Sequence, residues 1–235
     1  MRAQQASNDI AAIISAYHEK ALVYHDFIAA MRNILVSLLD DGGFKYQISH
    51  RLKSVDSIRE KVRRNAALGV RYRRLADVED LAGIRIVFLL ESEKLRFQSA
   101  LLGELTRDRL SLEEHHKASG YRATHVLASL GRKRIALREY RRFAGLKCEI
   151  QLTSALYHAW SEVEHDILYK RNGGAGRLAP AVVKRIRQQM ADALRDHLEK
   201  AAALLEVAAA HARRARDRPA GHDRAATARS HARNR

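Results

Sequence analysis

The chain has 235 residues, 46% hydrophobic and 30% charged, with 12 glycines, 2 prolines and one cysteine. That balance excludes a disulfide scaffold and a low-complexity chain, and predicts one helix-rich domain long enough to bury a core. Lys and Arg number 43 against 27 Asp and Glu, a net charge of +16, so the surface attracts polyanions or phosphorylated ligands.

Ile10, Ile13, Ile14, Tyr17, Ala21, Tyr24, Ile28, Met31, Leu35 and Leu38 recur every three or four residues, which predicts a long amphipathic helix over 8–39. Asp40-Asp41-Gly42-Gly43 stops it. A short extended piece over 46–53 leads to Ser54, an N-cap for a helix running to Asn65, and a basic loop holding Arg71, Arg73 and Arg74 follows. Residues 83–90 have the β-branched and apolar density of a buried strand, and 92–105 read as a helix. Two more strands are expected at 121–130 and 146–152, joined by an arginine-rich polar connection. Residues 154–170 read as a helix, broken by Arg171-Asn172-Gly173-Gly174.

Pro180 suits the first turn of a last long helix, to about 210, whose stripe runs Val183, Ile186, Met190, Leu194, Leu198, Ala201, Leu205 and Ala208. From Arg213 onward eight arginines face two aspartates with little apolar to pack, so 212–235 is expected to be a basic, disordered tail. No apolar run approaches the roughly 20 residues of a membrane span and no signal-peptide core is visible, so a cytoplasmic protein without a membrane partner is expected. The fold class is α/β, a mixed sheet flanked by helices, with long terminal helices that pack together or on another subunit.

Leu146, Cys148, Ile150 and Leu152 alternate with Lys147, Glu149 and Gln151; a strand therefore sends three polar groups to one face, either a solvent-washed face or a site. Arg85 interrupts the apolar run of 83–90 and needs an anion. Asp80 is one candidate partner for it; alternatively Asp80 and Glu149 hold a divalent ion whose other ligands are substrate phosphates. Tyr121 and His125 share a strand face, for stacking on a base or for core packing, with Lys117 and Arg122 beside them. Arg51, Lys53, Ser57 and Lys61 cluster around the start of the second helix, an anion site or a set of surface charges. No phosphate-loop motif occurs, and the His-Asp pairs at 25–26, 165–166 and 222–223 lack the companions of a metal-dependent phosphohydrolase. Cys148 points to the apolar side, as a packing residue.

Four ordered blocks over 51–170 together resemble the RelA/SpoT-type nucleotide pyrophosphokinases, in the compact form called small alarmone synthetases. They are Arg51-Leu52-Lys53 with Ser57 and Lys61; Asp80-Leu81-Ala82-Gly83-Ile84-Arg85; Lys117-Ala118-Ser119-Gly120-Tyr121-Arg122-Ala123-Thr124-His125; and Glu149-Ile150-Gln151 with Trp160, Glu164-His165 and Tyr169-Lys170. The resemblance implies a nucleotidyltransferase-like sheet in a synthetase domain over 1–211, with a motif core at 46–170. It implies transfer of the β,γ-pyrophosphate of ATP to the ribose 3′-hydroxyl of GDP or GTP. Asp80 and Glu149 would be the catalytic pair and bind Mg2+; Arg51 and Arg85 would hold adenine, and Lys53, Ser57 and Lys61 the ATP phosphates. Tyr121 would stack on the acceptor guanine, with Lys117, Arg122, His125 and Gln151 on the acceptor side. A homo-oligomer, with a tetramer favoured, is implied as well. Two positions depart from the family pattern: Thr153 stands where many members carry arginine, and His116 where proline is frequent. Two other functions stand beside this one, pyrophosphorylation of the 3′ end of tRNA and noncatalytic RNA binding; the basic tail would aid the former, and intact Asp80 and Glu149 argue against the latter.

Overall fold

The apolar stripe at the N-terminus folds as one helix, α1 (Arg2–Asp41), in a computed structural model that describes residues 2–105, 111–116, 122–170 and 179–217. Ile13, Tyr17, Tyr24, Phe27, Ile28, Met31, Leu35 and Leu39 of α1 are buried, each fully covered side chain adding about 1.5–3 kcal/mol. By length and composition 7–41 is apolar enough for a membrane span, against the sequence expectation. Its buried stripe nevertheless belongs to the main core, packed with residues of the sheet.

The sheet has five strands in the order β1-β2-β5-β4-β3: β1 (Tyr46–Leu52), β2 (Ala82–Phe88), β3 (Ser111–His116), β4 (Arg122–Ala128) and β5 (Cys148–Ser154). Only β2 and β5 pair in parallel; the other neighbours are antiparallel. The mixed sheet agrees with the expected class. Strand β3 was not expected, because Ser-Leu-Glu-Glu-His-His holds one apolar residue; its pairing with β4 makes it a strand at the sheet edge.

Side-chain alternation splits the sheet into two faces. Ile84, Ile86, Phe88, Val126, Ala128, Ile150 and Leu152 are buried on the face that packs on α1 and on α3 (Glu91–Glu104), where Phe44, Phe88 and Phe97 meet with ring centroids 5.3–5.9 Å apart. Cys148 lies there too, buried as expected, and burial together with the Glu149 charge pushes its thiol pKa far up, leaving it unreactive. On the other face, α5 (Ala155–His165) folds back from β5 and packs on β2 and β5, where Val87 and Thr153 are buried. The half of that face nearer the start of β2 and β5 stays open.

Helix α2 (Val55–Ala67) begins at Ser54, whose Oγ accepts from the Ser57 backbone N–H at 3.2 Å. Ser54→Ala should therefore cost about 1 kcal/mol, read as a lower urea midpoint at unchanged slope. The connection between β4 and β5 contains a short helix, α4 (Arg132–Ile135), and a 3-10 turn at Arg141–Phe143.

The last helix departs from the expected single rod. It comprises α6 (Pro180–Ala193), a wide turn at Leu194–Leu198 and α7 (Glu199–Asp217). The wide turn adjoins the point where Trp160 Nε1 donates to the Met190 carbonyl at 3.2 Å, and Leu194 is buried there with Tyr157 and Trp160. An indole drawing on a carbonyl of the helix ladder is a recognised cause of such irregularity. Arg213, Arg214 and Arg216, placed in the tail by sequence, continue α7 as helix.

Candidate active site

The open half of the sheet forms the floor of a cleft of about 560 Å³. Register sets the floor: Arg51 of β1 lies beside Gly83 of β2, which lies beside Glu149 of β5. One step along, Ser49, Arg85, Gln151 and His125 form a second row across four strands. Residues far apart in the chain thus share one face because each stands at an alternate position of its strand.

Asp80 stands just before β2 and carries two cations. Lys53 Nζ lies 2.7 Å from its Oδ2 and Lys61 Nζ 2.8 Å from its Oδ1. Lys53 is held at the end of β1 by its backbone N–H on the Leu81 carbonyl, 2.8 Å, and by the Tyr17 hydroxyl donating to its own carbonyl, 2.9 Å. Lys61 reaches over from the second turn of α2. Burial raises the Asp80 pKa, but the hydrogen bonds and charges of the two ammonium groups outweigh it and hold the carboxyl below its ordinary value. Asp80 Oδ1 is sealed from solvent and its near neighbour is the Lys61 ammonium.

Glu149 is the second carboxylate. His125 Nδ1 lies 3.1 Å from its Oε1, and Gln151 Nε2 donates to its Oε2 at 2.7 Å. Burial again acts to raise the pKa, while His125 and Gln151 lower it below the ordinary value; the Asp80 charge opposes them. Both carboxylates are therefore ionised at neutral pH.

Arg85 finds its anion in Glu162 of α5, with Nη1 donating at 2.7 Å, rather than in Asp80. Its Nε donates to Gln151 Oε1 at 3.2 Å. Arg51 is exposed at the rim, and the Ser57 hydroxyl, 2.9 Å from Ser54 Oγ, faces the cleft at the start of α2. Arg122 is not brought in: it pairs with Glu199 and lies over the Tyr157 ring, 5.5 Å from its centroid, away from the cleft lining. Lys117 and Tyr121 lie outside the described residues.

Sequence reasoning missed Glu162, although its i, i+4 spacing from His158 on a helix that follows Gln151 was a usable signal. Lys61 is not a plain surface charge: it pairs with Asp80.

Among the described residues no group of three or more His, Cys, Asp and Glu side chains is placed to hold a metal. Two ionised carboxylates on adjoining elements still suit, by the chemistry of their oxygens, a hard divalent cation that completes its shell with water and phosphate oxygens. Around them stand the cations Arg51, Lys53, Lys61 and Arg85, side chains that suit phosphate oxygens, the last three already paired with Asp80 and Glu162.

Several solved structures share this fold. The Bacillus subtilis small alarmone synthetase 1 bound to its product pppGpp is 22% identical, with a TM-score of 0.61 over 83% of this chain and 99% of that one. The same enzyme bound to AMPCPP is 18% identical with a TM-score of 0.55, covering 83% and 98%. A GTP pyrophosphokinase family protein from Streptococcus pneumoniae is 23% identical with a TM-score of 0.54, covering 80% and 97%. No curated protein sequence matches the chain. The family model described as the region found in RelA / SpoT proteins matches residues 50–174, over half of the chain and including Arg51, Asp80, Gly83, Arg85, His125, Glu149 and Gln151 of the cleft, so this protein belongs to the RelA/SpoT family.

Proposed function

We propose that the protein is an alarmone synthetase that moves the β,γ-pyrophosphate of ATP to the ribose 3′-hydroxyl of GDP or GTP, releasing AMP. The observation that carries this reading is the presence of Asp80 and Glu149 in one cleft lined by Arg51, Lys53 and Arg85, with Lys61 paired to Asp80. That the related Bacillus subtilis enzyme has been solved with pppGpp and with AMPCPP supports nucleotides as donor and acceptor.

In this reading Lys53, Lys61 and Ser57 receive the ATP phosphates, while Arg51 and the open face of Arg85 hold adenine. Asp80 and Glu149 would hold Mg2+, which when bound supplies charge neutralisation on the phosphoryl oxygens. The acceptor 3′-oxygen attacks the β-phosphorus, the bond from that phosphorus to the α–β bridging oxygen breaks, and AMP leaves with the electron pair. Glu149 accepts the hydroxyl proton as the new bond forms, with His125 and Gln151 holding its carboxylate in place. His125 and Gln151 face the acceptor side, and Tyr121 is assigned to the acceptor guanine.

The test is incubation of the chain with labelled ATP and Mg2+ plus GDP, GTP, ADP or deacylated tRNA, with separation of the products. Labelled guanosine tetra- or pentaphosphate together with AMP is expected. Labelled tRNA without a guanosine product would overturn the nucleotide acceptor. Removal of 213–235 should leave the guanosine reaction unchanged within about twofold, because the helical Arg213, Arg214 and Arg216 lie outside the cleft lining and surplus charge alone commonly reflects nonspecific surface attraction. A tRNA acceptor would instead show a raised KM and a flatter salt dependence on the same truncation.

A further inference from the structure

Glu162 does not line the cleft, yet it begins a line of polar contacts that ends on Glu149. From α5 its Oε1 accepts from Arg85 Nη1 at 2.7 Å. Arg85 Nε donates to Gln151 Oε1 at 3.2 Å, Gln151 Nε2 donates to Glu149 Oε2 at 2.7 Å, and His125 meets the other oxygen of Glu149 at 3.1 Å. The line joins α5, β2, β5 and β4. Register holds its middle: Arg85 and Gln151 are cross-strand partners, and Gln151 is two residues along the same face from Glu149.

A primary amide has a donor end and an acceptor end. With the Arg85 Nε–H on its oxygen, Gln151 must turn its NH2 toward Glu149. The reversed amide would set an oxygen against a carboxylate and an NH2 against a guanidinium, two repulsive pairs in place of two attractive ones. The location of Arg85 therefore decides how Gln151 holds Glu149. Arg85 is a long side chain, one-third exposed and rich in rotamers, and Glu162 is the carboxylate that anchors it among the described residues.

We propose that Glu162 is a positioning residue: by anchoring Arg85 against Gln151 it sets the amide orientation and, through it, the aim of the Glu149 carboxylate. The kinetic part of the test rests on the alarmone-synthetase reading; the spectroscopic part does not. In the full chain labelled with 15N-arginine, the Arg85 Nε–H resonance is assigned by its loss in Arg85→Lys. Its solvent exchange should quicken roughly tenfold or more in Glu162→Ala, with Glu162→Gln in between because a neutral oxygen still accepts. Glu162 is half exposed, so both variants should keep the melting temperature of the parent, and Glu162→Gln also keeps the side-chain volume.

In the transfer reaction, Glu162→Ala should lower kcat roughly tenfold, the scale typical of removing a group that orients a site residue. In a Gln151→Ala background the same substitution should lower kcat no further, because the line is already cut. Unchanged Arg85 exchange in Glu162→Ala, or losses that multiply in the double variant, would overturn the assignment. If the parent chain transfers no pyrophosphate, the functional reading fails, while the exchange measurement still decides whether Glu162 anchors Arg85.

Discussion

Glu149→Gln and Asp80→Asn should each reduce pyrophosphate transfer by about 10³-fold, the scale expected when charge neutralisation of a reacting phosphate is lost. Their effects on stability should differ, and the difference follows from the contacts. Asp80 neutralises two ammonium groups, Lys53 and Lys61, at 2.7 and 2.8 Å. Its loss leaves two partly buried cations facing each other, at a cost of about 2 kcal/mol once residual exposure is allowed for. Glu149 accepts from Gln151 and meets a histidine rather than a lysine. An amide in its place keeps an accepting oxygen, so Glu149→Gln should melt close to the parent. Urea unfolding of both variants beside their kcat values checks the pair of expectations. Near-parental turnover in either variant would remove that carboxylate from the proposed metal pair.

Gly83→Val should separate folding from activity more sharply. Gly83 occupies the cleft floor between Arg51 and Glu149 in the sheet register. A Cβ built there would meet only the Arg51 and Glu149 carbonyl oxygens, at 3.9 and 4.0 Å, which is ordinary contact. The strand therefore accepts a side chain, and replacing a strand glycine should stabilise the fold by about 0.5–1 kcal/mol. The added isopropyl group would, however, stand between Arg51 and Glu149, where the proposed reading places the nucleotide phosphates. Loss of about 100-fold in kcat/KM is expected from displacement of the reacting groups, with a melting temperature equal to or above the parent's. An active Gly83→Val protein would show that substrates do not use this floor.

The contrast between strands and contacts shows which information was local. Alternation in 146–152 already separated Glu149 and Gln151 from Cys148, Ile150 and Leu152, because a strand's period of two depends only on neighbouring residues. The stripe of α1, the Ser54 cap of α2 and the stop after Asp41 were legible for the same reason. The four motif blocks were legible as a family pattern, and residues of each, among them His125, Glu149 and Gln151, meet in one cleft, while Trp160 packs on Leu194, Arg122 turns toward Glu199, and 117–121 lie outside the described residues.

What the sequence by itself determined was thus the placement of the first, second, third and fifth helices, the polar face of β5, and the two carboxylates worth testing. The tertiary structure alone decided that Ser111–His116 forms a strand, that Asp80 belongs to Lys53 and Lys61, and that Arg85 is anchored by Glu162. Capping and periodicity are properties of adjacent residues, whereas each of these pairings joins segments of distant sequence. Charge alone cannot choose among many lysines, arginines and carboxylates; sheet register and helix packing bring only one set within hydrogen-bonding reach.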